Sequence, residues 1–186
     1  MALVVLRRIM AGMPLHRIHR HDHDPIFFGP EGSAPIFRFD APDGSYKVLY
    51  AARALATAFG ETLVRSPHIP HVSSTEVQAR VRSELITVRA LKLYPLIDAG
   101  VSAHGLSFAD LHGESYTKTQ EISGWVHSST SADGILYTSR FDNQRCVALF
   151  DRAIDAVVTT TTSKLAISPS EATALSEHFG KTYVEP

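Results

Sequence analysis

The stretch Tyr46-Lys47-Val48-Leu49-Tyr50-Ala51-Ala52-Arg53-Ala54-Leu55-Ala56-Thr57-Ala58-Phe59-Gly60-Glu61-Thr62-Leu63-Val64-Arg65 changes period part-way along. Over residues 46–50 the spacing is two, which places Tyr46, Val48 and Tyr50 on one face of a strand. Over residues 51–65 it becomes helical, with Leu55, Phe59 and Thr62/Leu63 at i, i+4 and i+7/8 forming an apolar stripe. A strand running through a short connection into a helix is therefore the local unit. Downstream, Ser73-Ser74-Thr75-Glu76 has the spacing of a capping box and predicts a helix carrying Val77, Val81 and Leu85. Residues 86–93, 134–139, 146–150 and 156–167 are rich in β-branched or aromatic side chains and predict strands. A helix over residues 116–126 is carried by Tyr116, Thr119, Ile122 and Trp125/Val126, with Trp125 in core packing. A last helix follows Ser168 as N-cap, with Pro169 at its first position, Glu171 completing the box and Gly180 just past its end. Strands and helices mix without a strict βαβ rhythm, so the expected class is α+β.

The chain has 186 residues and 20.4 kDa, 44% hydrophobic and 20% charged, which suits one domain over residues 1–186 able to bury a core without staples. Cys146 is the lone cysteine, which excludes a disulfide scaffold and a Cys-rich zinc site. Eighteen Lys plus Arg balance nineteen Asp plus Glu, and there is no long basic run. That argues against direct binding of nucleic acid or an anionic membrane, both of which need phosphate charge neutralised. No apolar stretch approaches the roughly 20 residues that span a bilayer. The opening is apolar only through Leu6 before Arg7 and Arg8, the wrong order for a secretory signal, so a cytoplasmic protein is expected. Residues 21–44 hold Pro25, Pro30, Pro35, Pro42, Gly29, Gly32 and Gly44, a loop-rich segment of the kind that carries function.

On the helix after Tyr50, Glu61 falls on the face of Ala54, Thr57 and Ala58, a strip of small side chains with room beside it. A lone helical Glu is usually a solvated one. Glu61 gains interest from Tyr50 at the end of the preceding strand and from Arg38 in Phe37-Arg38-Phe39-Asp40, because a guanidinium is the side chain best suited to gripping a diphosphate. Two rival constellations exist. His16, His19, His21 and His23 with Asp22 and Asp24 form a dense polar cluster, yet neighbours along a loop splay apart and no cysteine supports a metal site. Ser139 with His127 and an Asp would suit a hydrolase but lacks a Gly-x-Ser-x-Gly elbow.

Taken in order, His16-Arg17-Ile18, Phe28-Gly29, Arg38-Phe39-Asp40, Val48-Leu49-Tyr50-Ala51-Ala52, Ala58-Phe59-Gly60-Glu61-Thr62 and Gly134-Ile135-Leu136-Tyr137-Thr138-Ser139 resemble the RES domain, over about residues 15–160. The resemblance implies a NAD-consuming toxin of a bacterial toxin–antitoxin module of the RES/Xre type. It implies a fold like that of the diphtheria-toxin-like ADP-ribosyltransferases, a central mixed sheet with flanking helices. It also implies roles: Arg38, Tyr50 and Glu61 in catalysis, and Arg17, Arg38, Tyr50 and Ser139 in binding NAD, which is substrate, with no metal needed. Glu61 would stabilise the positive charge that grows on ribose as nicotinamide leaves, and Tyr50 would offer an aromatic face to a flat ring. Transfer of ADP-ribose to a protein, for instance an enzyme of nucleotide synthesis, is the implied outcome, with hydrolysis or phosphorolysis of NAD as the alternative and a non-enzymatic binding module behind both. The implied partner is an antitoxin with a helix-turn-helix and a C-terminal toxin-binding domain, in a hetero-oligomer. Many members carry Gly-Gly-Arg-Trp-Asn where this chain has Ile36-Phe37-Arg38-Phe39-Asp40, a bulkier and stiffer version.

Overall fold

The computed structural model describes residues 5–29, 34–64, 66 and 68–185. In chain order its elements are β1 (Arg7–Ile9), β2 (Pro14–Arg20), β3 (Val48–Ala52), α1 (Leu55–Leu63), β4 (His71–Ser73), α2 (Ser74–Gln78), β5 (Arg80–Thr87), β6 (Leu91–Leu96), α3 (Ala99–Ala103), α4 (Phe108–His112), α5 (Thr117–Ser129), β7 (Gly134–Thr138) and β8 (Arg145–Phe150). A kinked 3₁₀ segment (Asp151–Ala156), β9 (Val157–Thr159), β10 (Leu165–Ala166), α6 (Pro169–His178) and β11 (Thr182–Val184) complete it. Nine strands form one sheet in the order β1-β6-β7-β8-β3-β2-β5-β10, with β9 also on β5. Within it β6 and β7 run parallel and the other pairs antiparallel, so the sheet is mixed, while β4 and β11 make a separate parallel pair.

Both faces of the central strands are buried, and period two assigns each residue to one of two cores. Val48 and Ala52 of β3, Ile135 and Tyr137 of β7, and Ala148 and Phe150 of β8 meet Phe59 of α1 and Val126 of α5 on the helical side. Leu49 and Ala51, Leu136, and Val147 and Leu149 point the other way. There they meet Ile9, Leu15, Leu85, Leu91, Leu93 and Val157, all from strands of the same sheet. The sheet is thus curled, and strands from both ends of it cover one core. This is an α+β arrangement.

Several expectations shift. The strand at residues 46–50 begins later and runs to Ala52, so Ala51 and Ala52 belong to it, and the helix is limited to Leu55–Leu63. Arg65 and Met1–Val4 lie outside the described residues. The box at Ser73 caps a helix of five residues only; Ser73 accepts from Thr75 N–H, and Val81 and Leu85 lie in β5. A spacing of four fits strand and helix alike, and the buried face of β5 is hidden from a hydrophobic pattern because Ser83 and Thr87 occupy it with Leu85. Those two are satisfied by hydrogen bonds, Ser83 with His19 and Lys164 and Thr87 with Met10 and Met13. Residues 86–93 are two strands meeting at a turn, and 156–167 likewise hold β9 and β10. The final helix has Ser168 as N-cap, accepting from Glu171 N–H, and Gly180 at a φ of +64° after it, but Glu171 does not complete the box: its carboxylate pairs with Arg82 at 3.1 Å.

Gly134 leaves no room for a side chain against the neighbouring strand: a Cβ there would lie 2.3 Å from the Ala148 carbonyl oxygen on β8. Backbone cannot step aside as a side chain could. Gly134→Ala is therefore expected to cost about 3 kcal/mol or more in urea unfolding, and a loss below about 1 kcal/mol would show that the β7–β8 ladder is looser than described.

Candidate active site

Among the described residues β2 and β3 pair only at His16 and Ala52, whereas β2 pairs with β5 over seven residues from Pro14 to Arg20. Where β2 and β3 part, a cleft of about 590 Å³ opens. Arg17 reaches it from β2, Tyr50 from β3, Glu61 from α1, Arg38 from the loop before β3 and Tyr137 from β7. Four of the five residues singled out from the sequence are thereby brought to one cavity.

Arg38 sits on a tightly fastened loop. The Asp40 carboxylate accepts from Ile36 N–H (2.9 Å) and Phe37 N–H (2.8 Å) through Oδ2 and from the Tyr50 hydroxyl (2.9 Å) through Oδ1. Tyr50 in turn accepts from Phe39 N–H (2.9 Å). From the other side, helix α5 takes two carbonyls: Gln120 donates to Phe37 O (2.9 Å) and Ser123 to Phe39 O (2.7 Å), with Tyr46 donating to Ser123 (2.7 Å). Phe39, fully buried, packs edge-on to Tyr137 at 5.0 Å. Ile36 and Phe37 remain largely exposed. The Arg38 guanidinium, 7% exposed, then lies between the Tyr116 and Tyr137 rings at 5.7 and 5.9 Å. Its Nη1 is buried and has no acceptor among the described residues.

Glu61 presents the complementary case. Its Oε1 is buried with no donor, and neither charge forms an ion pair, among the described residues. A buried charge without a partner costs far more than an exposed one. Tyr137, buried beside them, feels both: burial raises its phenol well above the usual tyrosine value, with Glu61 and Tyr50 adding to the rise and Arg38 opposing it. Tyr50 is likewise raised, by burial first and then by Asp40. The Tyr50 hydroxyl is spent on the Arg38 loop, and its ring meets Phe37 edge-on at 5.7 Å. Arg17 donates to the Pro25 carbonyl (2.7 Å), and burial pushes its guanidinium down to about 10, still charged at neutral pH.

Ser139 is the residue the structure does not bring to the cleft. It is buried, its hydroxyl accepts from Phe141 N–H (3.1 Å), and its carbonyl accepts from Asn143 N–H (3.0 Å), so it shapes the turn between β7 and β8. The rival constellations also come apart. His127 stacks on Tyr46 at 4.1 Å rather than meeting Ser139. His19 is held by Arg20 O and Ser83 (2.9 and 2.8 Å), and His23 lies against Phe27. Among the described residues no three His, Cys, Asp or Glu side chains are grouped to hold a metal, and no helix is long and apolar enough to cross a membrane.

Tyr116, Tyr137 and Arg140 were not singled out as site residues, although all three line the cleft. Tyr137 belongs to the Gly134–Ser139 motif, and its place in a strand buried along its length makes it indistinguishable from core by pattern alone. Charge was hidden as well. Arg17, Arg20, Arg38, Lys47, Arg80 and Arg140 line the cleft against only Asp40 and Glu61, in a chain whose formal charge is -1.

The sequence model of the RES domain matches residues 14–178, which contain every cleft residue named above. The chain belongs to the RES domain family. No curated protein matches it by sequence. Among solved structures, a chain in the crystal structure of the M. tuberculosis MbcT–MbcA toxin–antitoxin complex is similar in fold, with a TM-score of 0.59 at 14% identity over 83% of this chain and 87% of that one.

In this RES domain the β2 edge of the cleft is sensitive to acid. Burial holds the His19 imidazole down at about 4, so the folded protein keeps it neutral where the unfolded chain, near 6.5, takes up a proton. The stability it contributes is present above pH 6.5 and is lost as pH falls toward 4, at about 1.4 kcal/mol per pH unit for one proton. Denaturant unfolding between pH 7 and 4.5 should give a slope for His19→Gln that is shallower than the parent's by about this amount; equal slopes would contradict it.

Proposed function

We propose that this RES domain is a NAD-consuming toxin that breaks the bond between nicotinamide and ribose and passes ADP-ribose to a protein acceptor. The observation that carries the reading is that Arg38 Nη1 and Glu61 Oε1, on one cleft, are both buried without a hydrogen-bond partner among the described residues. A ligand with an anionic centre and a centre that becomes cationic during reaction answers both, and NAD, with its diphosphate and its nicotinamide-bearing ribose, is such a ligand. Family membership points the same way.

In this reading Arg38 grips the diphosphate through its planar fork, with Arg17 as a second cation. Glu61 faces the ribose, where a preorganised carboxylate is most useful as positive charge develops. Tyr50 acts mainly through its hydroxyl, fastening the loop that presents Arg38. The hydroxyl of Ser139 is engaged by its own turn, so its contribution runs through the hairpin rather than through NAD. The partner is an antitoxin, as in the complex from which the similar fold comes, and it works by competing for the cleft mouth around Ile36, Phe37 and Arg38. The helix-turn-helix of such a partner leaves the toxin no need to contact DNA, and the site of action is the cytoplasm.

Label decides the reaction. Purified protein given adenylate-labelled NAD and a cell lysate is expected to yield a labelled protein band; labelled ADP-ribose or its phosphate alone would mean hydrolysis or phosphorolysis, and intact NAD would leave a binding module. Glu61→Gln should lower turnover by ~10²-fold or more while the protein still folds. Arg38→Lys keeps the charge but not the fork, and is expected to raise KM for NAD at least about tenfold. A lysine variant with parental kinetics would move the diphosphate contact to Arg17.

A further inference from the structure

Helix α1 carries Glu61 but lacks the usual devices for fixing its own start. Its N-cap is Ala54, with no side-chain cap, and there is no acidic residue in its first turn. What takes their place comes from a distant part of the chain. Thr57, fully buried and one turn before Glu61, donates its hydroxyl to Asp142 Oδ2 at 2.7 Å. Asp142 lies in the turn between β7 and β8, and its other oxygen accepts from Gln144 N–H at 3.1 Å. That turn is shaped by Ser139, whose hydroxyl and carbonyl take Phe141 and Asn143 N–H and whose own N–H donates to Gln144 O (2.9 Å).

We infer that Asp142, acting through Thr57, is a positioning residue for Glu61. The carboxylate places a negative charge at the first turn of α1, where the helix dipole favours it, and fixes the helix along its axis. Thr57 and Glu61 are four residues apart and so lie on one face, which makes a rotation or slide of α1 move Glu61 directly. The other attachments of α1 near Glu61 are the packing of Ala58 and Phe59 in the core and of Gly60 against the Phe179 ring, none of them directional, and a longer hydrogen bond from Thr62 to Ile18 O at 3.3 Å. The hairpin clamp thus adds a short, directional contact to the packing of a helix whose Glu61 Oε1 has no donor among the described residues. This rests on the NAD reading for its kinetic consequence, and on the contacts alone for its structural one.

The experiment has two arms on the full-length protein. In the first, amide exchange by mass spectrometry is followed over α1. Thr57→Val and Asp142→Ala should each speed exchange there several-fold, with no further increase when combined, and Thr57→Ser should restore protection. Unchanged exchange in both variants overturns the inference whether or not NAD is consumed. In the second, kcat and KM for NAD are measured. The two variants should lower kcat about tenfold and leave KM within about twofold, and in a Glu61→Gln background they should add no further loss. A loss that persists undiminished in that background, or one that falls on KM alone, shows that Asp142 does not act through Glu61. Asp142→Asn, which keeps the shape of the turn, serves if the alanine variant does not fold, and is expected to shift kcat in the same direction. If the parent itself leaves NAD intact, the functional reading fails and the exchange arm still decides the clamp.

Discussion

Among the described residues only His16 and Ala52 pair β2 with β3, and the parting of the ladder beyond them is the constraint on which the site depends. Backbone groups along separated strand edges need other partners, since buried N–H and C=O groups are almost always satisfied. Two elements fill the gap. Helix α1 packs against both strands, and its Thr62 hydroxyl donates to Ile18 O, a carbonyl of β2. The loop at residues 36–40 closes the other side and is bound back to β3 through Tyr50. Glu61 and Arg38 are delivered by these two fillers, one each. Had β2 and β3 paired along their length, no cavity would have opened and neither element would have had an edge to cover.

The two charges in the cleft differ in kind from the charge that holds the other side of the sheet. Arg89 donates to Asp133 and Asp155, both at 2.9 Å, and Asp133 also accepts from Lys92 N–H at 2.7 Å, so every member has a partner and the guanidinium is held above its usual value. That network fastens the start of β6 and β7 and has no polar group left to offer. Arg38 is buried against two tyrosine rings, which favour a cation on their faces but cannot neutralise it. Its position is kept by the loop, whose hydrogen bonds run to Asp40, Tyr50, Gln120 and Ser123, rather than by anything the guanidinium itself gains. An unmet charge persists where the surroundings fix its position independently, as the hydrogen bonds of this loop do.

Legibility in the sequence followed the physics of each element. The strands β7 and β8 and the capped α6 were plain because period, composition and end signals agreed. Strand β2 hides in a polar stretch, since Arg17 and His19 share one of its faces; a strand that lines a cavity loses the apolar alternation that would reveal it. Strand β5 reads as a continuation of α2 because Ser83 and Thr87 hide its buried face. Of the cleft residues, Arg38 and Tyr50 are legible by residue type near a loop and a strand end and Glu61 by its strip of small neighbours, whereas Arg17 comes from the resemblance alone. The role of the Tyr50 hydroxyl, the tyrosine pair around Arg38 and the Thr57–Asp142 contact are not legible, because each joins segments between 10 and 99 positions apart, and no local pattern encodes such a meeting.

The cleft's excess of guanidinium and ammonium groups has a kinetic meaning that the overall charge conceals. A molecule with formal charge -1 gives an approaching anion no long-range attraction, yet within a Debye length, about 8 Å at physiological salt, the six cations around the cleft dominate the field. Low-dielectric walls concentrate that field toward the opening. Capture of an anionic ligand is therefore governed by a short-range funnel rather than by distant steering, and its association rate should be most sensitive to salt where ionic strength shortens the screening length to the width of the cleft itself.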